Sequence, residues 1–168
     1  YLRVRVRKLL INQIDLKDKL IESSKLFCKL RYLTNSFIKL NFAKYIFYRE
    51  EGYLVINRDI FQVYPEYMIL SFLKYSLTRI GNKNYSPRTK LLKLLYLRQK
   101  KEIYFSLTLS GCIIKFNKNK VFIIREYNNI LSTKSYINKH EKLEWDNRFL
   151  IINNTNSNIE VMPLGQII

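Results

Sequence analysis

Apolar residues in the first third of the chain recur at helical spacing. From Asp15 onward they return every three, four or seven positions, with lysines and arginines between them: Leu16, Leu20, Phe27, Leu30, Phe37 and Ile38. This period predicts a long amphipathic helix, or two, and Asp15 and Asp18 suit the positively polarised start of such a helix. The pattern stops around Gly52.

Two more helices are predicted after a short extended segment at residues 53–56. Pro65 is expected to open a helix over residues 66–80 that Gly81 ends, and Pro87 is expected in the first turn of a helix that runs to about Lys101. The first hundred residues are therefore predicted to be mostly helical.

From residue 103 the pattern changes to short β segments. Residues 103–109, 112–116 and 121–125 are rich in Ile, Phe and Val and are separated by short polar turns, which predicts a β-meander. Residues 145–152 and 159–162 are predicted to form two more strands. The chain is thus predicted to have an α+β fold, with a helical region at 1–101 and a small antiparallel β-rich region at 102–168.

Charge adds a candidate partner to this outline. The chain has 30 Lys and Arg against 13 Asp and Glu, a net charge of +17, with 13 Tyr and 10 Phe. Adenine- and thymine-rich coding favours several of these residue types and accounts for part of the excess. Nine basic residues between Glu66 and Glu102 nevertheless have no carboxylate among them: Lys74, Arg79, Lys83, Arg88, Lys90, Lys93, Arg98, Lys100 and Lys101. Such a block can hold phosphates, and aromatic residues interleaved with it favour RNA binding over a merely solvated basic face.

Most other chemistry lacks support in the sequence. The four glycines are isolated, so there is no phosphate-binding loop for ATP, and no catalytic residue is predicted. Cys28 and Cys112, with the single His140, support neither a metal site nor a disulfide, and a cytoplasmic location is expected. Cys112 is expected to pack within a strand. No apolar window is long enough to span a membrane.

Three short motifs occur in a family-like order. Residues 107–112 read Leu-Thr-Leu-Ser-Gly-Cys, Arg125 is followed by Glu126, and residues 145–149 read Trp-Asp-Asn-Arg-Phe. This series resembles the TLxGC, RE and WDxRF motifs of the tRNA(Ile)-lysidine synthetase family. Ser86-Pro87-Arg88, Pro163-Leu164-Gly165 and the basic start of the chain match further family segments, although Ser110 stands where the family more often has Gly.

The resemblance also bears on a local conflict at the start of the chain. Leu2, Val4 and Val6 alternate with Arg3, Arg5 and Arg7, which by periodicity alone predicts a strand. The family segment that resembles residues 2–10 is helical, so a helix is expected here.

The resemblance implies an ATP-dependent carbon–nitrogen ligase that joins free lysine to the wobble cytidine of tRNA(Ile) with a CAU anticodon. ATP, together with magnesium, is implied for a catalytic domain upstream of this stretch, and the β-rich region is expected to stop early. A fragment, a split-gene product and a decayed gene all remain open, as does a homodimer. This stretch alone is expected to be inactive.

The hypothesis from the sequence is therefore that the chain binds and positions tRNA. The expected tRNA-binding residues are Arg3, Arg5, Arg88, Arg98, Lys101, Arg125 and Arg148. For Arg125 and Arg148, beside Glu126 and Asp146, a structural ion pair is an equal alternative. Trp145 and Phe149 are expected to be core anchors. A stand-alone basic RNA-binding protein or remnant, and a module that binds an acidic protein, are the other interpretations.

Overall fold

A computed structural model describes residues 2–11, 14–130 and 135–163. It confirms the α+β fold, with helices first and antiparallel strands after them. Contacts divide the chain into two compact units between Asn41 and Phe42. The predicted helical and β-rich regions meet between residues 101 and 102, which lies inside the second unit.

The first unit is helical. Helix α1 covers Leu2–Ile11 and α2 covers Ile14–Phe42, the last residue of which belongs to the second unit. The helix expected at the start of the chain is therefore present, in place of the strand that alternation suggested. Lys19 and Asp15 form an exposed i,i+4 ion pair of 2.9 Å near the start of α2, an interaction that stabilises a helix only slightly.

A five-stranded antiparallel sheet organises the second unit. Its strands are β1 (Ile46–Tyr48), β2 (Leu54–Asn57), β3 (Phe105–Leu109), β4 (Cys112–Phe116) and β5 (Lys120–Arg125), in the spatial order β1-β2-β5-β4-β3. The predicted meander forms β3 to β5. The extended segment predicted at 53–56 overlaps β2, which pairs with β5 and so joins the predicted helical region to the β region. This pairing is why the contacts do not separate at residue 101.

Helices cover one face of this sheet. They are α3 (Ile60–Val63), α4 (Glu66–Ile80) and α5 (Thr89–Lys101). Helix α4 packs on β5 and α5 packs on α4. Alternate strand positions fill the core between the layers, and Ile56, Ile114 and Ile123 are fully buried. The predicted limits of α4 and the predicted end of α5 are confirmed.

Helix α4 ends by a mechanism different from the one the sequence suggested. Gly81 has a right-handed φ of −73°, and the left-handed residue is Asn82, with φ 45°. Gly81 is required because of close approach instead: a Cβ there would lie 2.0 Å from the carbonyl oxygen of Ser110. The residue after the helix is thus packed directly against the turn between β3 and β4.

Arg58 fastens the end of α5 to the sheet. Its guanidinium donates hydrogen bonds to the carbonyl oxygens of Ile103 (2.7 Å), Glu102 (2.8 Å) and Asn117 (3.1 Å), and to that of Gln99. The last carbonyls of a helix have no partner within it, and Arg58 supplies a donor to two of them, those of Gln99 and the C-cap Glu102.

Two small hairpin-like sheets complete the unit. Strands β6 (Ser135–Ile137) and β9 (Ile159–Val161) pair, as do β7 (Lys142–Trp145) and β8 (Phe149–Ile152). The prediction of one strand over residues 145–152 is wrong, because Asp146 and Asn147 have left-handed φ values of 51° and 52° and turn the chain back. Asp and Asn adopt this conformation more readily than other residues with side chains.

The remaining differences are short elements. Strand β9 overlaps the strand predicted at 159–162, whereas β1, α3, β6 and most of β7 were not predicted. Of the family-like segment at 163–165, Leu164 and Gly165 lie outside the described residues. No helix among the described residues is both long and apolar enough to cross a membrane.

Candidate functional site

The three motif segments come together in the second unit. Cys112, at the start of β4, is the register partner of Arg125 at the end of β5. The backbone N–H of Glu126 donates to the carbonyl oxygen of Gly111 at 2.9 Å. The β7–β8 turn brings Asp146 and Arg148 to the same place, and Arg125 contacts Asp146. Motifs that are well separated in the chain therefore build one cluster.

Asp146 is the centre of this cluster and binds two arginines. Its Oδ2 lies 2.8 Å from Nε of Arg125 and 2.8 Å from Nε of Arg148, and its Oδ1 accepts a 2.9 Å hydrogen bond from Nη2 of Arg125. The Asp146 side chain is fully buried, and those of Arg125 and Arg148 are 4% and 14% exposed. Because one carboxylate serves two guanidinium groups, the trio keeps one positive charge.

Both arginines also hold neighbouring loops through backbone carbonyls. Arg125 donates to the carbonyl oxygens of Gly81 and Asn129, and Nη1 of Arg148 donates to that of Gly52 at 3.1 Å. Burial lowers the pKa of Arg148, and the hydrogen bond to Asp146 acts in the opposite direction. The cluster thus links four separate parts of the chain: the β1–β2 turn, the end of α4, the segment after β5 and the β7–β8 turn.

Cys112 lies beneath the cluster as a packed thiol. It is fully buried, and its Sγ–H points to the carbonyl oxygen of Leu77 at 3.6 Å. Burial raises its pKa to about 12, despite the lowering effect of Arg125 and other nearby cations. The thiolate is the nucleophilic form, so this cysteine is not a nucleophile at neutral pH. The expectation that Cys112 packs within a strand is confirmed.

An open cleft of about 500 Å³ borders the cluster. It lies between the last turns of α4, the loop that follows α4, and the β7–β8 turn. Its charged lining consists of Arg79, Lys83 and Arg148, and no carboxylate of the described residues lines it. Tyr48 and Tyr75 also line the cleft. A cleft with cations, aromatic rings and no acid has the composition of an anion or nucleic-acid site.

Known proteins of similar sequence include three tRNA(Ile)-lysidine synthases. The chain is 31% identical over 131 residues to that of Wolbachia pipientis wMel and 30% identical over 133 residues to that of the Wolbachia of Brugia malayi (strain TRS), in each case over 76% of this chain and 30% of the relative. It is 28% identical to that of Orientia tsutsugamushi (strain Boryong), over 94% of this chain and 38% of the relative. The chain belongs to the tRNA(Ile)-lysidine synthase family.

The chain spans less than two fifths of the length of these synthases. No family model matches it, and no solved structure matches it significantly.

The structure divides the predicted tRNA-binding residues of this tRNA(Ile)-lysidine synthase relative into groups. Arg125 and Arg148 are drawn together around Asp146, which favours the structural alternative for both. Arg3 and Arg5 are exposed on α1. Arg88 is the exposed N-cap of α5, and Lys101 is the exposed last residue of that helix. The thirteen-residue helix separates these two by about 20 Å.

Arg98 already has partners. It forms a bidentate pair with Glu102, with Nε···Oε1 2.9 Å and Nη2···Oε2 2.8 Å, and its guanidinium carbon lies 4.5 Å from the centre of the Phe105 ring. The hydrogen bond from Arg98 lowers the pKa of Glu102. The pair is on the surface, so water and salt screen it and a phosphate can compete for the arginine.

The sequence did not single out the lining of the cleft. Arg79 and Lys83 lie in the carboxylate-free basic block, which was a usable signal, but they were not selected from its nine members. Tyr48 had no signal because β1 was not predicted. The expected core anchor Trp145 is buried, and its ring centre lies 5.9 Å from that of Phe149, its register partner across the hairpin.

ATP and magnesium, which the family resemblance implies, do not fit the described residues. Gly52, Gly81 and Gly111 each serve a separate turn or close contact, so they form no phosphate-binding loop. Within ranges 2–11, 14–130 and 135–163, no three His, Cys, Asp or Glu side chains are close enough to hold a metal ion. No step of nucleotide chemistry is therefore assigned to this part of a synthase.

Proposed function

We propose that this chain is the part of a tRNA(Ile)-lysidine synthase that binds and positions tRNA(Ile) with a CAU anticodon. Lysine ligation to the wobble cytidine, with ATP and magnesium, belongs to a catalytic domain upstream of this stretch in the cytoplasmic enzyme. The chain alone has no ligase activity. The observation that carries this proposal is that the family motifs meet in one cluster beside a cationic cleft, which no carboxylate in the described part of the chain lines.

The predicted tRNA-binding residues have two different roles: some stabilise loops of the protein, and others contact tRNA phosphates. Arg125 and Arg148 brace the loops around Asp146, and a phosphate would have to displace a buried ion pair to reach the guanidinium of Arg125. Exposed basic residues are better placed for phosphates, because they lose little hydration on contact. The proposed contacts are Arg3, Arg5, Arg88, Arg98 and Lys101.

The proposal is tested by competition in fluorescence anisotropy. The chain is bound to labelled RNA at about 150 mM salt, which suppresses nonspecific phosphate binding. Unlabelled tRNA(Ile) with a CAU anticodon then competes against elongator methionine tRNA, which has the same anticodon letters before modification. The proposal expects a preference of about tenfold, or 1.4 kcal/mol, for the isoleucine tRNA.

Equal binding of the two tRNAs, with a steep dependence on salt, would instead establish a stand-alone basic RNA-binding protein. A second assay looks for lysidine in the CAU tRNA by mass spectrometry after incubation with the chain, ATP, magnesium and lysine. We expect none. Lysidine formed by the chain alone would overturn its assignment as a positioning part.

A further inference from the structure

The cleft beside the Asp146 cluster has cations available for a ligand. Arg79, in the last turn of α4, is exposed, and Lys83 follows shortly after the helix ends. Neither forms an ion pair with a carboxylate among the described residues, and Nζ of Lys83 bonds only to the neutral amide oxygen of Asn129, at 2.8 Å. Within the described ranges, both charges are therefore free of a direct carboxylate partner.

Arg148 adds a fixed charge at the edge of the cleft. Its Nε binds Asp146 and its Nη1 binds Gly52, while its Nη2 has no hydrogen-bond partner among the described residues. The buried ion pair holds the guanidinium in place and leaves Nη2 able to donate a hydrogen bond to a ligand. A group that is already ordered loses little entropy when it binds.

Two tyrosines supply aromatic surface in the same lining. Tyr48 comes from β1 and Tyr75 from α4, and both residues are more than half exposed. Exposed rings beside unpaired cations are typical of sites that stack an unpaired base and hold the adjoining phosphate. The volume of about 500 Å³ is within the range of about 300–1,000 Å³ found for small-ligand pockets.

We propose that the cleft lined by Tyr48, Tyr75, Arg79, Lys83 and Arg148 binds an unpaired nucleotide of RNA, with its phosphate on Arg79 and Lys83 and its base on the tyrosine rings. This inference rests on the proposed function, since tRNA is its source of the nucleotide. Stacking on the tyrosine rings makes the site selective for unpaired nucleotides, because a base inside a regular duplex cannot present its face to the rings.

The test compares single-stranded and duplex RNA of equal length by anisotropy, with four variants of the whole chain. The double variant Arg79→Gln with Lys83→Gln removes the side chains that hold the phosphate. Its matched control, Lys93→Gln with Lys118→Gln, removes two exposed charges that do not line the cleft. Tyr75→Leu removes a stacking ring, and Tyr75→Phe keeps it.

The cleft double variant is expected to bind single-stranded RNA about tenfold more weakly than the control, and its salt slope is expected to fall by about 0.7 for each phosphate that it no longer binds. Tyr75→Leu is expected to weaken binding by about fivefold or more, while Tyr75→Phe stays close to the unaltered chain. Thermal melting of each variant shows whether the fold is retained. Equal losses of affinity in the cleft and control double variants, or unchanged binding with Tyr75→Leu, would overturn the inference.

Two further outcomes separate this inference from the proposed function and from a protein partner. If the isoleucine tRNA is preferred as strongly by the cleft variants as by the unaltered chain, with unchanged affinity, the cleft inference fails and the proposed function stands. If the unaltered chain has no tRNA preference but the variants lose single-stranded RNA binding as expected, the proposed function fails and the cleft inference stands. Displacement of RNA by polyglutamate as effective as by single-stranded RNA of equal charge would indicate an acidic protein as the occupant and overturn the inference.

Discussion

Asp146 forms ion pairs with Arg125 and Arg148, and its side chain is completely buried. Removing one member of a buried ion pair leaves an uncompensated charge, which costs far more than the pair itself contributes. Here a single change leaves two arginines without their carboxylate. The residue also needs a left-handed backbone, which Asn tolerates nearly as well as Asp.

Replacing Asp146→Asn is therefore expected to lower the free energy of unfolding by about 3–5 kcal/mol, because only the charge is lost. Urea unfolding followed by the fluorescence of Trp145, the only tryptophan, measures the change. Asp18→Asn removes a carboxylate from the exposed surface of α2 and is expected to change stability by less than about 0.5 kcal/mol. Equal effects of the two substitutions would contradict a special role for the buried carboxylate.

The two cysteines are expected to differ sharply in reactivity. Cys28 is exposed, whereas Cys112 is buried with a pKa raised to about 12. At about pH 8 a disulfide reagent should modify Cys28 rapidly and Cys112 only after the protein unfolds. A Cys28→Ser variant should lose the rapid phase. Rapid modification of Cys112 in the folded chain would show that the end of α4 opens readily.

The same shift links Cys112 to stability at high pH. The folded chain holds the thiol proton more tightly than the unfolded chain. The protonated thiol therefore makes its full contribution to the free energy of unfolding below about pH 9, and this contribution is lost as the pH rises toward about 12.

Among the elements, α5 depends on a side chain from another part of the chain. Arg58 follows β2 directly and binds carbonyl oxygens at the end of α5 and at the β4–β5 turn. It also lies 5.7 Å from the centre of the Phe116 ring. The planar guanidinium spreads its donors over three nitrogens and reaches acceptors that lie too far apart for the single nitrogen of an ammonium group.

Arg58→Lys keeps the charge but leaves several of these carbonyls without a donor, and we expect it to cost about 2–4 kcal/mol. Thermal or urea unfolding measures the loss of stability. Arg49→Lys is the matched control, because the Arg49 side chain is exposed and makes no hydrogen bond among the described residues. A similar stability for the two variants would mean that water replaces Arg58 at little cost.

The elements also show which structures could be predicted from sequence. Helix α4 and strands β3 to β5 were predictable because their apolar periods are unbroken and because Pro, Gly or polar residues mark their ends. Strand β1 has three residues and no period, and β7 was hidden because its turn uses Asp146 and Asn147 rather than glycine. Ser110 is also left-handed, with φ 55°, where a Gly would be free of strain.

At the scale of the molecule, the second unit has all the parts of an independent fold. The five-stranded sheet, the helices that cover it and the Asp146 cluster all lie within residues 42–168. The candidate site was predictable only in part: the sequence suggested ion pairs for Arg125 and Arg148 with a neighbouring carboxylate, but not that both arginines pair with Asp146. Long-range partners such as Arg125 and Asp146 depend on tertiary structure and leave no local pattern.

A chain of residues 42–168 is expected to unfold cooperatively, with a urea midpoint close to that of the whole chain, since its core is complete. Trp145 fluorescence and circular dichroism should report coincident transitions. A fragment without a cooperative transition would show that the first unit is required for folding of the second.

The sharing of Asp146 has a consequence for how the family's motifs should be interpreted in genomes. Because Arg125, Asp146 and Arg148 stabilise one another, they are expected to change together or not at all during evolution. Selection for a folded chain is enough to retain them, even in a copy that has ceased to modify tRNA. The WDxRF motif is then a marker of an intact scaffold, and competence for ligation is better judged from the nucleotide-binding loop of the catalytic domain.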